Sequence, residues 1–246
     1  MTYSALAPFY DAIMWHVEYH EWVFLIEKII KKFLPQKSVS IFEVGSGTGS
    51  LANSLKNHPY KFVCSDLNYN MSIIAKEKKL PVINADARFI PIKCKFDLVL
   101  FLYDGINYLQ SLNEYKKLFL SVSSILPYGG LFLFDITTDT NSKRYFYDYY
   151  SWEEHNGSTI FRHSYYNDKK NLQFNDFTIF SPLNNSHDLF IKSEEQHIQK
   201  IFSTLQIESV IPKKIFKILG IWDNFSMLKH TKNSERIHFL LQKISQ

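Results

Sequence analysis

Residues 39–50 read Val-Ser-Ile-Phe-Glu-Val-Gly-Ser-Gly-Thr-Gly-Ser, an apolar, partly β-branched lead-in followed by glycines at 45, 47 and 49. The pattern predicts a buried strand, a tight turn and a helix that begins near Leu51. Glycine suits such a turn because the chain must reverse sharply and bring its backbone close to a ligand, where a Cβ would intrude. The first turn of the helix leaves unpaired N–H groups on the same side. A Walker-type phosphate loop is excluded, since no Lys-Ser or Lys-Thr follows the glycines. A dinucleotide fingerprint expects Gly or Ala where this chain has Ser50, which weakens an NAD-dependent oxidoreductase as a reading.

Beyond this turn, strand alternates with helix. A second strand over 61–66 ends in Asp66, 17 positions after Gly49 (66 − 49). That is close to the ~20-residue interval at which doubly wound folds set a carboxylate against ribose hydroxyls. A helix is predicted over 71–79, a short strand over 81–85 with Asp86-Ala87 at its end, and a central strand over 96–102, the most continuously apolar run. Helix 112–126, the turn Pro127-Tyr128-Gly129-Gly130 and strand 131–136 complete a right-handed, parallel series.

Ahead of the first strand, a short helix over 8–16 opens at Pro8. A second carries Tyr19, Trp22, Val23, Ile26, Ile29, Ile30 and Phe33 at helical spacing until Leu34-Pro35 stops it. This helix pair is expected across one edge of the sheet.

After 136 the pattern changes. Residues 145–152 hold Tyr145, Phe146, Tyr147, Tyr149, Tyr150 and Trp152, which either line a pocket or pack the following segment onto the sheet. Alternating runs at 158–166, 171–180 and 188–199, separated at 167–170 and at 181–186, predict an antiparallel meander. Ser203-x-x-Gln206 predicts a capped helix, and 216–222 and 236–242 two last strands pairing antiparallel at the edge. The expectation is an α/β, doubly wound, Rossmann-like sheet of seven mostly parallel strands with helices on both faces. Its core spans 1–139 and 201–246, and 140–200 form an antiparallel β cap inserted after the fifth strand.

Composition narrows the setting. With 246 residues and 46% apolar side chains, the chain can bury one large core plus a cap. The net charge of +4 comes from lysines scattered over separate elements (Lys31-Lys32, Lys78-Lys79, Lys213-Lys214), not from the clustered patch that nucleic acid demands. Cys64 and Cys94 make no disulfide framework, and residues 1–15 lack a secretion signal, so a cytoplasmic protein is expected. No apolar run is long enough to span a bilayer. No His/Cys or His/carboxylate grouping has metal-ligand spacing.

In order, Glu43 to Gly49, Asp66 with Met71, Asp86-Ala87, Phe96-Asp97-Leu98-Val99 and Leu126-Pro127-Tyr128-Gly129-Gly130-Leu131 resemble the class I S-adenosylmethionine-dependent methyltransferases. Phe9-Tyr10-Asp11, the segment Asp104-Gly105-Ile106-Asn107-Tyr108-Leu109 and the meander resemble more narrowly the branch containing sugar-amine N-methyltransferases.

The resemblance implies S-adenosylmethionine as cofactor, S-adenosylhomocysteine as product, and a small-molecule acceptor methylated at N or O. It implies that Gly45 and Gly47 approach the methionine part with Glu43 near its ammonium, and that Asp66 holds the ribose. Leu67 and Met71 would pack on the adenine, Asp86 with the Ala87 amide would read its edge, Leu102 and Tyr103 would border the methyl, and Tyr10 would close over the cofactor. For Met71 and Tyr10, ordinary packing is an open alternative.

Tyr108 is the first candidate for the base, at a point where related sugar-amine enzymes place His; His155, His163 and His197 stand second. Methylation of RNA or protein, a non-catalytic S-adenosylmethionine-binding module, and NAD chemistry are the rival readings. Both monomer and homodimer stay open.

Overall fold

The computed structural model describes residues 3–34, 38–183 and 188–245. Pro35 of the expected helix stop and Asn184-Asn185-Ser186 of the expected break at 181–186 lie outside the described residues, while Ser181 and Pro182, expected in that break, continue the preceding strand. The main sheet takes its parallel strands from β1 (Val39–Val44), β2 (Tyr60–Asp66), β3 (Val82–Asn84), β4 (Leu98–Phe101) and β5 (Leu131–Thr137). It is completed by β10 (Phe216–Asp223), the two-residue β11 (Leu228–Lys229) and β12 (Arg236–Lys243), in the order β11-β10-β12-β5-β4-β1-β2-β3. The strand count is therefore eight, the seven expected plus β11, which pairs with β10 through only two residue pairs. β12 enters antiparallel between β5 and β10.

Strand β4 shows why the sheet sits inside. Its four residues are all buried; Val99 and Phe101 join one apolar layer with helix α5 (Leu112–Ile125), while Leu98 and Leu100 join the other. Helix α2 (Tyr19–Phe33) buries Trp22, Leu25, Ile26, Ile29 and Ile30 in that second layer, beside Ile41, Leu98, Leu100, Leu133 and Leu240. This corrects the expected edge position: a stripe of five large apolar side chains buries more surface over the middle of a sheet than along its rim. Instead of one helix over 8–16, the N-terminal segment forms a 3₁₀ turn at Ala7–Phe9 and the single turn α1 (Tyr10–Ile13). Helices α3 (Ser50–Leu55) and α4 (Tyr69–Glu77) follow β1 and β2, and α6 (Asp139–Tyr145), not foreseen from sequence, follows β5.

The inserted segment is a separate four-stranded antiparallel sheet: β6 (Asp148–His155), β7 (Ser158–Asn167), β8 (Leu172–Pro182) and β9 (Phe190–Lys200). Three strands were expected; the aromatic run supplies the fourth. It joins the core mainly through polar bonds, with Asn107 and Gln110 side-chain amides donating to the Lys200 and Ile198 carbonyls, each at 3.0 Å. Its apolar contribution is local: Ile160, Phe177 and Ile179 pack on Leu6 and Ile13. The capping box at Ser203 and Gln206 opens α7 (Thr204–Val210) as expected.

Candidate active site

At the C-terminal end of β1 the chain turns through Gly45 (φ +62°) and Gly47 (φ +57°), conformations that L side chains avoid. A Cβ on Gly45 would also stand 2.7 Å from the Phe101 ring. The turn is locked to the end of β2: the Gly47 N–H donates to Asp66 Oδ2 at 2.8 Å, and the Asn68 N–H donates to Asp66 Oδ1 at 2.8 Å. Asp66 is buried on the same side of the sheet as the glycines. Burial raises its pKa while these two amides oppose the rise. Each carboxylate oxygen keeps lone-pair capacity for a further donor.

Glu43 lies deeper, on β1 itself. It is 5% exposed, its Oε2 has no hydrogen-bond partner among the described residues, and burial, with the Asp66 charge adding, pushes its pKa up to about 8. A buried carboxylate without a partner is costly unless a cation joins it.

Around the other end, Met71 is buried, Leu67 is 62% exposed at the rim, and Asp86 and Ala87 line the same cavity. The Asp86 carboxylate is already engaged: Arg88 reaches it through Nε at 3.0 Å and Nη2 at 2.6 Å while also pairing with Glu114. Tyr10 faces the Gly47 turn, and α1 is latched there by Asp11, which accepts from Thr48 (2.5 Å) and Ser50 (2.9 Å) and pairs with Lys78 at 2.6 Å.

After β4, Leu102 is buried, and Tyr103 (φ +61°) and Asp104 (φ +50°) are both left-handed. Two successive non-glycine residues in that region are held only if their surroundings over-determine them. Here the Asp104 N–H donates to the fully buried Asp135 at 3.0 Å, and Arg236 bridges Asp135 and Asp104, with its Nη2 3.0 Å from Asp104 Oδ1. The guanidinium lies 4.9 Å from the Tyr103 ring centroid and 5.3 Å from that of Trp22. Gln199 of the cap donates to Asp104 at 2.5 Å, tying roof to floor.

Tyr108 stands under that roof. Its hydroxyl is 2.7 Å from the Tyr3 hydroxyl and 3.0 Å from His197 Nδ1. His197 Nε2 lies 2.8 Å from Glu195 Oε1, an ion-pair distance off the line of a hydrogen bond. Glu195 also accepts the backbone N–H groups of Tyr3, of Ala5 (2.8 Å) and of Leu6 (3.2 Å). Burial raises the Tyr108 pKa, which favours the protonated phenol.

Of the second-line histidines only His197 reaches the cavity. His155 and His163 sit on the cap's β6 and β7, the latter paired with Asp148 at 2.9 Å and stacked 4.1 Å from Tyr150. The aromatic run divides as well: Tyr145 and Phe146 line the cavity, whereas Tyr150 and Trp152 are 67% and 62% exposed on the cap's edge strand.

Every expected cofactor residue, and the candidate base Tyr108, lines one cavity of about 640 Å³. That falls among the volumes usual for small-molecule sites, ~300–1,000 Å³. Tyr3, Asp135, Glu195, Arg162 and Arg236 were not singled out from sequence, and Asp104 entered only as part of the segment 104–109. Only Asp135 left a local sign, a lone acid in the apolar run Leu131-Phe132-Leu133-Phe134-Asp135-Ile136. S-adenosylmethionine fits this site: its ammonium suits the orphaned Glu43 carboxylate, its ribose hydroxyls the remaining lone pairs of Asp66, and the glycine turn leaves backbone room for it.

Fold and site together resemble those of the class I, S-adenosylmethionine-dependent methyltransferases. Residues 41–130 match the family described as a methyltransferase domain. The chain is 26% identical to the Bacillus subtilis (strain 168) protein YqeM, named as a methyltransferase, over 99% of this chain and 98% of that one. Among solved structures, an S-adenosylmethionine-dependent methyltransferase from Clostridium acetobutylicum ATCC 824 superposes with a TM-score of 0.80 at 24% identity, covering 98% of both chains. The amino pentose methyltransferase CalS10 of Micromonospora echinaspora superposes at 0.71 with 14% identity, covering 99% of this chain and 98% of that one.

Proposed function

We propose that this enzyme transfers the methyl group of S-adenosylmethionine to an N or O atom of a small molecule enclosed between the core (1–139 and 201–246) and the β cap (140–200). One observation carries the reading: the glycine turn and Asp66 share a continuous cavity with Tyr108, His197 and the inner residues of the cap, so cofactor and acceptor can meet under one roof. Scattered lysines and that roof speak against RNA or protein acceptors. The amino pentose specificity of CalS10 supports a small polar acceptor, and the two free cysteines suit a reducing cytoplasm.

When bound, S-adenosylmethionine supplies an already activated sulfonium methyl. Glu43 would hold the ammonium, Asp66 the ribose hydroxyls, and Leu67, Met71, Asp86 and Ala87 the adenine, while Leu102 and Tyr103 border the transfer position and Tyr10 covers the methionine side. Alignment alone can lower a barrier by about 7–11 kcal/mol. The remaining task is removal of the acceptor's proton. Tyr108 accepts it while passing its own to His197 Nδ1, and Glu195 beside Nε2 stabilises the imidazolium that forms. Calorimetry with S-adenosylmethionine, S-adenosylhomocysteine and NAD tests the cofactor assignment. Tight binding of the two sulfur compounds and none of NAD is expected; NAD binding alone would overturn it. A metabolite screen for homocysteine-linked turnover then identifies the acceptor.

A further inference from the structure

The roof of the cavity contains a guanidinium outside the proton-transfer chain. Arg162, on β7, points inward; its Nε donates to Ser164 Oγ at 2.8 Å and its Nη2 to Asn175 Oδ1 at 2.7 Å. Both partners are neutral. No carboxylate lies within ion-pairing distance of Arg162 among the described residues, and Nη1 has no hydrogen-bond partner among them. Asp104, the acid whose charge acts on Arg162 across the cavity, is taken by Arg236 at 3.0 Å and Gln199 at 2.5 Å.

The guanidinium is also fixed in place, with the Phe146 ring centroid 5.1 Å and the Phe177 centroid 5.7 Å from its carbon. Burial lowers the Arg162 pKa, the mark of a charge stripped of water without a counter-ion. An arginine fork held by neutral groups, walled by aromatics and open on one nitrogen is preorganised for a planar or tetrahedral oxyanion.

We infer that the acceptor carries an anionic group, a carboxylate or a phosphate, which seats on Arg162 and so turns the acceptor's reactive N or O atom toward Tyr108. This inference rests on the methyltransferase reading and narrows it from small molecules in general to small acids. Arg162 then acts as a specificity residue. Asn175, whose Oδ1 is spent on Arg162 and Ser164, has its Nδ2 left to help hold the same oxyanion.

The test is calorimetric titration of the protein saturated with S-adenosylhomocysteine, using benzoate, its neutral isostere benzamide, and inorganic phosphate. Benzoate or phosphate should bind, and benzamide at least about tenfold more weakly than the better anion, the scale of one hydrogen bond to a charged group. Benzoate without phosphate marks a carboxylate acceptor, and the converse a phosphorylated one. Arg162→Gln should erase the preference for the anion while S-adenosylhomocysteine affinity stays unchanged, and Arg162→Lys should keep part of it. The inference is overturned if wild-type protein binds S-adenosylhomocysteine but neither anion, if it binds benzamide as well as benzoate and takes no phosphate, or if Arg162→Gln keeps the anion preference. Failure of S-adenosylhomocysteine itself to bind would remove the methyltransferase reading instead, so the two failures are told apart in the first titration. The benzoate and benzamide comparison needs no variant and survives any misfolding of Arg162→Gln.

Discussion

Glu43 makes the sharpest demand of any single residue. Its folded pKa is about 8 against an ordinary 4.5, so between those values the folded protein binds the proton that the unfolded chain has lost. Stability of the ligand-free protein therefore falls as pH climbs through that window. An ammonium docked on Glu43 reverses the preference. At about pH 7 cofactor binding should release up to one proton, seen as a calorimetric enthalpy that depends on the buffer's ionisation heat, and Glu43→Gln should abolish the dependence. Asp66→Ala should weaken S-adenosylhomocysteine binding by roughly 1–3 kcal/mol, since it removes the acceptor that also holds the Gly47 amide. Unchanged affinity would place the ribose elsewhere. Tyr108→Phe should leave that affinity alone and lower kcat by about 10²–10⁴-fold, the usual worth of a positioned proton acceptor. A loss confined to KM would make Tyr108 a wall of the pocket only.

At the scale of elements, the C-terminal ends of β4 and β5 meet the start of β12 around Asp104, Asp135 and Arg236. Arg236 holds two buried carboxylates and two left-handed residues in place, so Arg236→Met leaves uncompensated charge beneath the transfer position. A loss of about 3–5 kcal/mol in urea unfolding is expected, with the variant recovering stability as acid protonates the two aspartates, whose pKa values burial already raises. A loss under about 1 kcal/mol would show that the turn after β4 is held by packing. The elements themselves were largely legible. The strands β1, β2, β4 and β5 announced themselves as apolar runs, and the late capping box stood at Ser203 and Gln206. Helix α6 escaped because Asp139 to Tyr145 carries no apolar stripe; only Ser142 in it is buried. The strand β6 escaped because its large rings, Tyr149, Tyr150 and Trp152, are all exposed, so no alternation of buried apolar and exposed polar residues marks it.

Across the whole molecule, the N-terminal segment is the closing piece. It is latched at one end by Asp11 to the glycine turn and at the other by Glu195, which gathers the amides of Ala5 and Leu6 from the cap. Glu195→Ala should speed hydrogen exchange at those two amides by at least about tenfold while leaving exchange in β4 unchanged, because the segment's anchor is polar and local. Equal protection in the variant would mean that Leu6 and Ile13 in the cap's apolar cluster are sufficient to hold it. Sequence by itself determined the doubly wound core, the glycine turn and the acid at the end of β2, because periodicity, glycine and the spacing of 17 residues are local properties of the chain. The charged frame of the acceptor side was decided only by tertiary structure. Arg236 meets Asp104 across 132 residues, His197 meets Tyr108 across 89, and Arg162 has no carboxylate beside it among the described residues. Ion pairs and their absence depend on which distant segments the sheet edges bring together, and no local pattern of residues encodes that.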